Sequence, residues 1–260
     1  FRPWEWHPPY MKRARERGPE CFSSRFDESA VDFLETLDAP AYKIASFEII
    51  HLPLIRKVAA TGKPMIISTG MATVSEIDEA VTTARAAGAK DIVLLKCTST
   101  YPASPENSNI ATIPNMRDLF GCQVGLSDHT MGTGVAVAAV AHGATVVEKH
   151  FTLSRADGGV DSAFSLEPAE LAALVAETGR AWHGLGRVSY GPTEAEKKSL
   201  LHRRSLYVAQ DMKAGDVFTA ENLRVVRPGE GLHPRHYEQL LGRRISRDAR
   251  RGTPMSWDLL

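Results

Sequence analysis

Short runs rich in apolar residues alternate along this chain with stretches whose apolar residues recur every three or four positions. ECFSSRF, AYKIAS, PMIISTG, DIVLLKCTS, QVGLSDH and TVVEKHF are the short runs, each of strand length. Between and after them, ESAVDFLETL, IHLPLIRKVAAT, VSEIDEAVTTARAAG, TIPNMRDLF, TGVAVAAVAHGA and PAELAALVAETGRAWHGLG read as helices. Continuous apolar strands are expected where helices cover a parallel sheet, so the alternation predicts a (β/α) barrel. Six strands are counted, whereas a closed barrel of this kind has eight. The opening FRPWEWHPPYMKRARERG brings tryptophans, prolines and a helical piece ending at Gly18 with no strand before them, as at the end of a βα unit. The expectation is a (β/α)8 TIM-type barrel lacking its first two βα units, with roughly 60 to 80 residues ahead of Phe1, and inactive as it stands. An open six-stranded sheet is the alternative.

The pattern changes after the last of these helices. VSYGPTEAEKKSLLHRR is polar, and beyond it short strand-like runs are punctuated by KAGD, RPGEG and RRGTP turns, with little helix except PRHYEQLL. The predicted organisation is a partial barrel over residues 1–186, a linker over 187–202 and a small β-rich domain over 203–260.

Composition narrows the partners. Basic and acidic residues balance at 31 each and no long run of one sign occurs, so nothing attracts nucleic acid or an anionic membrane surface. A small neutral or anionic metabolite fits better. The three cysteines, Cys21, Cys97 and Cys122, read as reduced packing residues rather than a disulfide framework. The longest apolar stretch, 134–147, is too short to span a bilayer and is broken by His142 and Gly143, and no signal-peptide pattern is present. A soluble cytoplasmic protein is expected.

The chemistry concentrates between Val124 and Asp161. Two of the predicted strands, VGLSDH and TVVEKHFT, end in histidines and flank a small-residue helix, a βαβ unit that brings Ser127, Asp128, His129 and His150 to the carboxyl ends of neighbouring strands. Ligands of α/β proteins bind at such ends. Histidines 21 residues apart on adjacent strands can reach one divalent metal, or can simply pack as a hydrogen-bonded pair. Asp128 and Glu148 flank them as further ligands or supporting partners, with Lys149 answering the charge. Two nitrogens with open positions suit Mn, Fe, Co or Zn at a catalytic site better than a closed structural zinc. The other strand ends add Ser23, Ser24, Lys43, Ser46, Glu48, Ser68, Thr69, Gly70, Lys96, Thr98 and Ser99. Singly, such serines are caps and such lysines are solvated. As a ring they supply donors for a phosphate and a carboxylate beside a metal-polarised carbonyl.

YKIASFE, IISTGMA, LLKCTSTYPA, GLSDHT and VEKHFTLSRADGGVDSAFSLEP, followed by RRSLYV and RPGEGL, closely resemble the sialic acid synthase family over essentially the whole chain. Within it, KIASFE, SRADGGVDSAFSLEP and RRSLYV are most like the pseudaminic acid synthases; N-acetylneuraminate and legionaminate synthases are the alternatives. The resemblance implies a (β/α)8 barrel followed by a small β-clip domain of the SAF, or antifreeze-like, type. It implies that His129 and His150 bind a divalent metal, usually Mn, with Mg or Co possible. Lys43, Ser46, Ser68 and Ser127 then match positions that bind phosphoenolpyruvate, with Ser99 where relatives often have asparagine. Glu48 matches an acidic residue beside the reacting carbons, Tyr101 and Asp161 match sugar contacts, and Arg227 matches an arginine lent to the partner subunit's site in a domain-swapped homodimer. The implied reaction joins phosphoenolpyruvate to the open-chain aldehyde of an amino sugar, 2,4-diacetamido-2,4,6-trideoxy-L-altrose, with water added and phosphate released. The loop 154–165 should set acceptor choice, its Ala163 and Phe164 favouring a methyl at C6. Arg25 departs from the resemblance, standing where proline is common. A metal-dependent barrel hydrolase and a non-catalytic sugar-binding module are the rival functions.

Overall fold

The computed structural model describes residues 3–260, and of Arg25 the backbone alone, so the departure noted at Arg25 lies outside the described side chains. Two compact units divide the chain, Phe1–Gly186 and Arg187–Leu260.

The first unit opens on helix α1 (His7–Arg17), which has prolines in its first turn, where their missing N–H groups cost nothing. It ends on Gly18 at φ 95°, a left-handed cap for which glycine carries no penalty. Strands and helices then alternate: β1 (Ser24–Arg25), α2 (Glu28–Glu35), β2 (Tyr42–Ile44), α3 (Leu52–Ala59), β3 (Met65–Ser68), α4 (Val74–Ala86), β4 (Ile92–Cys97), α5 (Thr112–Phe120), β5 (Gln123–Asp128), α6 (Gly134–Ala141), β6 (Val147–Lys149) and α7 (Pro168–Leu185). Helix starts are marked chemically. Asp27 accepts the Ala30 N–H at 2.9 Å to begin α2, and Thr73 with Glu76 closes a reciprocal capping box on α4.

The strands form one parallel sheet in the order β1-β2-β3-β4-β5-β6, the sequential order that repeated βαβ crossovers generate. This is the wall of a partial (β/α) barrel, with six strands among the described residues. Because side chains alternate along a strand, the sheet has two distinct faces. Tyr42, Ile44, Met65, Ile67, Leu94 and Val124 on one face are buried against Val31, Leu34, Leu54, Val58, Ala80 and Ile113 of the helices, and this layer is the core. The other face carries Lys43, Ser68, Cys97, Ser127 and Glu148; Cys97, Ser127 and Glu148 lie on one row of the register. No helix among the described residues is long and apolar enough to cross a membrane.

The second unit includes the stretch 187–202, whose last turn is a 3-10 helix at Lys197–His202. Beyond it, β7 (Ser205–Val208) pairs antiparallel with β8 (Leu223–Val226), and isolated bridges join Tyr207 to Pro254, Met212 to Ala249 and Val217 to Arg244. The PRHYEQLL segment supplies α8 (Tyr237–Leu240). Leu206, Val208, Phe218, Leu223, Leu240, Ile245 and Met255 make a separate core. Ser205 is buried and works in two directions: its hydroxyl donates to the Pro228 carbonyl at 2.7 Å and accepts from the Gly231 N–H at 2.8 Å. The segment that carries the exposed Arg227 is thereby pinned to β7.

Candidate active site

At the carboxyl end of the sheet the polar face gathers most of the residues singled out in the sequence. Lys43, on β2, is buried, and its ammonium donates to Ser68 Oγ at 2.7 Å and to the Ile44 carbonyl at 3.2 Å. It also lies 3.6 Å from Glu148 Oε2, while Glu148 Oε1 accepts from Ser127 Oγ at 2.7 Å. Burial pushes the Lys43 ammonium below its usual range, and the Glu148 charge works against that shift. Between β2 and β3 the Gly70 N–H donates to Ser46 Oγ at 3.1 Å. A Cβ at Gly70 would overlap Ser99 Oγ and come within 2.8 Å of Ser46 Oγ, so a side chain there would have to turn these hydroxyls away. Lys96 does not join this group. One residue out of phase with Cys97, it turns to the helix-facing side and donates to the Cys97 carbonyl at 3.0 Å.

The two histidines meet. Their ring centroids are 5.2 Å apart at an interplanar angle of 63°. His129 Nδ1 lies 2.9 Å from the Thr98 carbonyl, which can only accept, so Nδ1 carries the proton and Nε2 presents a lone pair. His150 Nδ1 lies 3.5 Å from Asp161 Oδ2, a contact longer than an ordinary hydrogen bond. Burial, reinforced by the neighbouring His129, lowers the pKa of His150 and favours the neutral ligand form. At His129 burial acts in the same direction, but hydrogen bonds with Cys97 and Thr98 outweigh it and raise the value. The Tyr101 ring lies 4.3 Å from that of His129, tilted by 44°, and buried Phe164 lies 5.0 Å from His150, so aromatic carbon walls the pair on two sides.

Among the described residues no cluster of three or more His, Cys, Asp or Glu has metal-binding geometry. Two neighbouring imidazoles, one of them oriented through Nδ1, nevertheless form a donor pair that fits an open divalent site completed by oxygen from water or substrate. Glu48 stands nearby in the 3-10 turn after β2, with Oε2 buried and without a hydrogen-bond partner. Burial raises its pKa, as expected of a carboxyl held ready to exchange a proton.

The loop that follows His150 is fastened at its base. The Leu166 N–H donates to the His150 carbonyl and the Thr152 N–H to the Leu166 carbonyl, each at 2.9 Å. Arg155 ties the inside of the loop to Ser165 O at 3.0 Å and pairs with Glu170 of α7. Asp161 is thus held beside His150. Phe164 faces the histidines, whereas Ala163 is exposed. Arg227 belongs to the second unit.

The three cysteines are free, as expected of reduced residues, and the buried Cys97 also faces the site. Its buried thiol lies 3.7 Å from Ser99 Oγ and 4.0 Å from His129 Nδ1. Burial alone would raise its pKa, but hydrogen bonds with His129, Ser46 and Ser99 bring it down to about 7. Its in-phase position, two residues after Leu95 and beside Ser99 in LLKCTS, was the available signal. Glu148, expected as a further ligand or supporting partner of the histidines, bridges Lys43 and Ser127 across the sheet.

The NeuB family profile matches residues 2–190 and the SAF domain profile residues 203–260. Pseudaminic acid synthase of Campylobacter jejuni is 42% identical over 250 residues, covering 96% of this chain and 73% of the relative. Pseudaminic acid synthase of Helicobacter pylori is 39% identical over 258 residues, covering 98% and 76%. Among solved structures, spore coat polysaccharide biosynthesis protein SpsE of Bacillus subtilis superposes with a TM-score of 0.69 at 36% identity, over all of this chain and 78% of that one.

Proposed function

We propose, from the premise that this chain belongs to the NeuB family, that its first unit houses a phosphoenolpyruvate-dependent synthase whose acceptor is a 2,4-diacetamido-2,4,6-trideoxy hexose and whose product is pseudaminic acid. C3 of phosphoenolpyruvate bonds to the acceptor's aldehyde carbon, water adds at C2, and the C2–O bond to phosphorus's bridging oxygen breaks to release inorganic phosphate. The observation that carries the reading is the presence of a buried, hydroxyl-linked ammonium, Lys43, and two adjoining imidazoles at the same end of the sheet.

Each residue has a task in that reaction. Lys43 and Ser68, with Ser46, Ser99 and Ser127, bind the anionic substrate through charge-assisted hydrogen bonds. Glu148 holds Lys43 and Ser127 in the meantime, so these donors are oriented before the substrate arrives. Glu48 exchanges a proton beside the reacting carbons, its raised pKa keeping both forms accessible. Tyr101 and Asp161 contact the sugar, and Phe164 excludes water from the histidine side. His129 and His150 would hold a divalent metal, Mn by preference with Mg or Co as substitutes, and a metal there supplies Lewis-acid polarisation of the acceptor aldehyde. Arg227, exposed on its pinned segment, reaches the partner's site in a domain-swapped homodimer, and the enzyme works in the cytoplasm.

Phosphate release measured with full-length protein tests the reading. Release should require phosphoenolpyruvate, a diacetamido hexose and a divalent metal together, and His129→Ala or His150→Ala should lose both metal and turnover. Release without acceptor, or at a metal-independent rate, would refute it. An ester or amide cleaved in the absence of phosphoenolpyruvate would favour the hydrolase instead.

A further inference from the structure

Directly behind the two histidines lies the most deeply buried ion pair described in the first unit. Lys149 Nζ is 2.7 Å from Asp128 Oδ2, and their side chains are only 3% and 1% exposed. By strand alternation both project from the helix-facing side of the sheet, opposite Ser127 and Glu148, so neither is placed to meet a substrate on the polar face.

The pair makes more than one bond, and the others are informative. Asp128 Oδ1 accepts the Thr130 N–H at 2.9 Å, and the Lys149 ammonium also donates to the Thr130 carbonyl. The backbone on the far side of His129 is therefore held at its N–H by Asp128 and at its carbonyl by Lys149. The His129 carbonyl itself accepts from the Ala103 N–H at 2.9 Å. Lys149 is also the residue immediately before His150, and its register partner on β5 is Asp128, the residue immediately before His129. One network thus fixes the peptide groups around one histidine and the strand end that launches the other. At the strand ends this network ties together the two segments that carry the histidines.

We infer that Asp128 and Lys149 are positioning residues for the His129–His150 pair, setting the distance and orientation at which the two imidazoles can share one divalent cation. The inference rests on the metal-binding reading above. The charges also matter, because a lone lysine ammonium behind the histidines would repel the cation they bind, and the aspartate cancels it. Hydrophobic packing could not supply the same function, since it has no direction with which to grip an N–H and a carbonyl separately.

Binding of Mn2+ and Co2+ to the full-length protein, by calorimetry and by the visible absorption of bound Co2+, provides the test. Lys149→Met alone leaves Asp128 buried and unpaired and is expected to fold poorly, so the double variant Asp128→Asn/Lys149→Met carries the experiment. It removes both charges and should stay folded, because neutral replacement of a buried pair is tolerated. Asp128→Glu is the second variant; it keeps both charges but lengthens one arm. Both should bind metal about tenfold to a hundredfold more weakly than the parent, as loss of partners behind metal ligands does elsewhere, with altered Co2+ bands. Leu54→Ala, a core variant in α3 remote from the histidines, should lower the melting temperature and leave the Co2+ spectrum unchanged. Parent-like affinity and spectrum in either folded variant would overturn the positioning role while leaving the metal site standing. Failure of the parent itself to bind either ion would overturn the metal reading and this inference with it.

Discussion

Gly125, in the middle of β5, should tolerate no side chain at all. A Cβ built on it would lie well inside contact distance of the Val146 carbonyl oxygen and 2.7 Å from Leu95 Cδ2. The first of these is backbone and cannot rotate away, so Gly125→Ala must displace the segment entering β6 or bend β5. Val146 O also accepts the Leu126 N–H at 2.8 Å, a bond that such a displacement would weaken. Overpacking of this kind costs about 1–3 kcal/mol and loss of a ladder hydrogen bond about 1 kcal/mol, so roughly 2–4 kcal/mol is expected. That is a large part of a stability of about 5–15 kcal/mol and corresponds to a melting temperature lower by roughly 4–16 °C. Function should suffer too, because the displaced segment leads to His150, whose ring must stay 5.2 Å from that of His129. Gly179→Ala in α7 is the matched control. Its Cβ meets nothing within 4 Å, so it should stabilise by about 0.5–1 kcal/mol through helix propensity. Urea titrations of the three proteins, with equal slopes as the condition for comparison, measure both numbers. A Gly125→Ala protein within about 1 kcal/mol of the parent, with metal binding intact, would refute the reasoning that β5 and the segment entering β6 approach too closely here to admit a side chain.

Two further outcomes follow from the site. Burial raises the pKa of Glu48, so the stability associated with its protonated form is present below the ordinary carboxylate range and is lost as pH rises through the raised value. Glu48→Gln should therefore be more stable than the parent near about pH 7, lose that advantage in acid, and be a poor catalyst; equal stability at both pH values would count against the buried, unpartnered carboxyl. In a competition between a 2,4-diacetamido-2,4,6-trideoxy hexose and N-acetylmannosamine, the deoxy sugar should be preferred by about 1–3 kcal/mol, the range an apolar pocket can discriminate. Faster consumption of N-acetylmannosamine would move the chain to another branch of the same family.

The barrel strands were legible because most are short, largely apolar runs set between helical patterns, although β1 keeps only Ser24–Arg25 as paired strand. Helix α6 was readable for a different reason: it is so rich in small apolar residues that composition, rather than spacing, marks it. At the site, the histidine pair followed from two strand ends. What the sequence pattern did not resolve was the face on which each neighbouring polar residue falls. Lys43 and Lys96 look alike as strand-end lysines, yet a difference of one position in phase sends Lys96 to the helix side. Cys97 was missed for the complementary reason, since a buried thiol in an apolar run reads as packing until its neighbours across the sheet are known. Asp128 and Lys149 lie 21 residues apart, and only the β5–β6 register shows them to be one unit.

The crossing of Ser46, Gly70 and Ser99 also constrains how this site can change over generations. The hydroxyls of Ser46 and Ser99 occupy the volume that a side chain at position 70 would need, so a substitution at 70 must turn both hydroxyls out of their present places. A change at one of the three positions therefore alters the room at the other two. Effects measured one at a time at 46, 70 and 99 will not add, because each is read against space that the other two have already claimed.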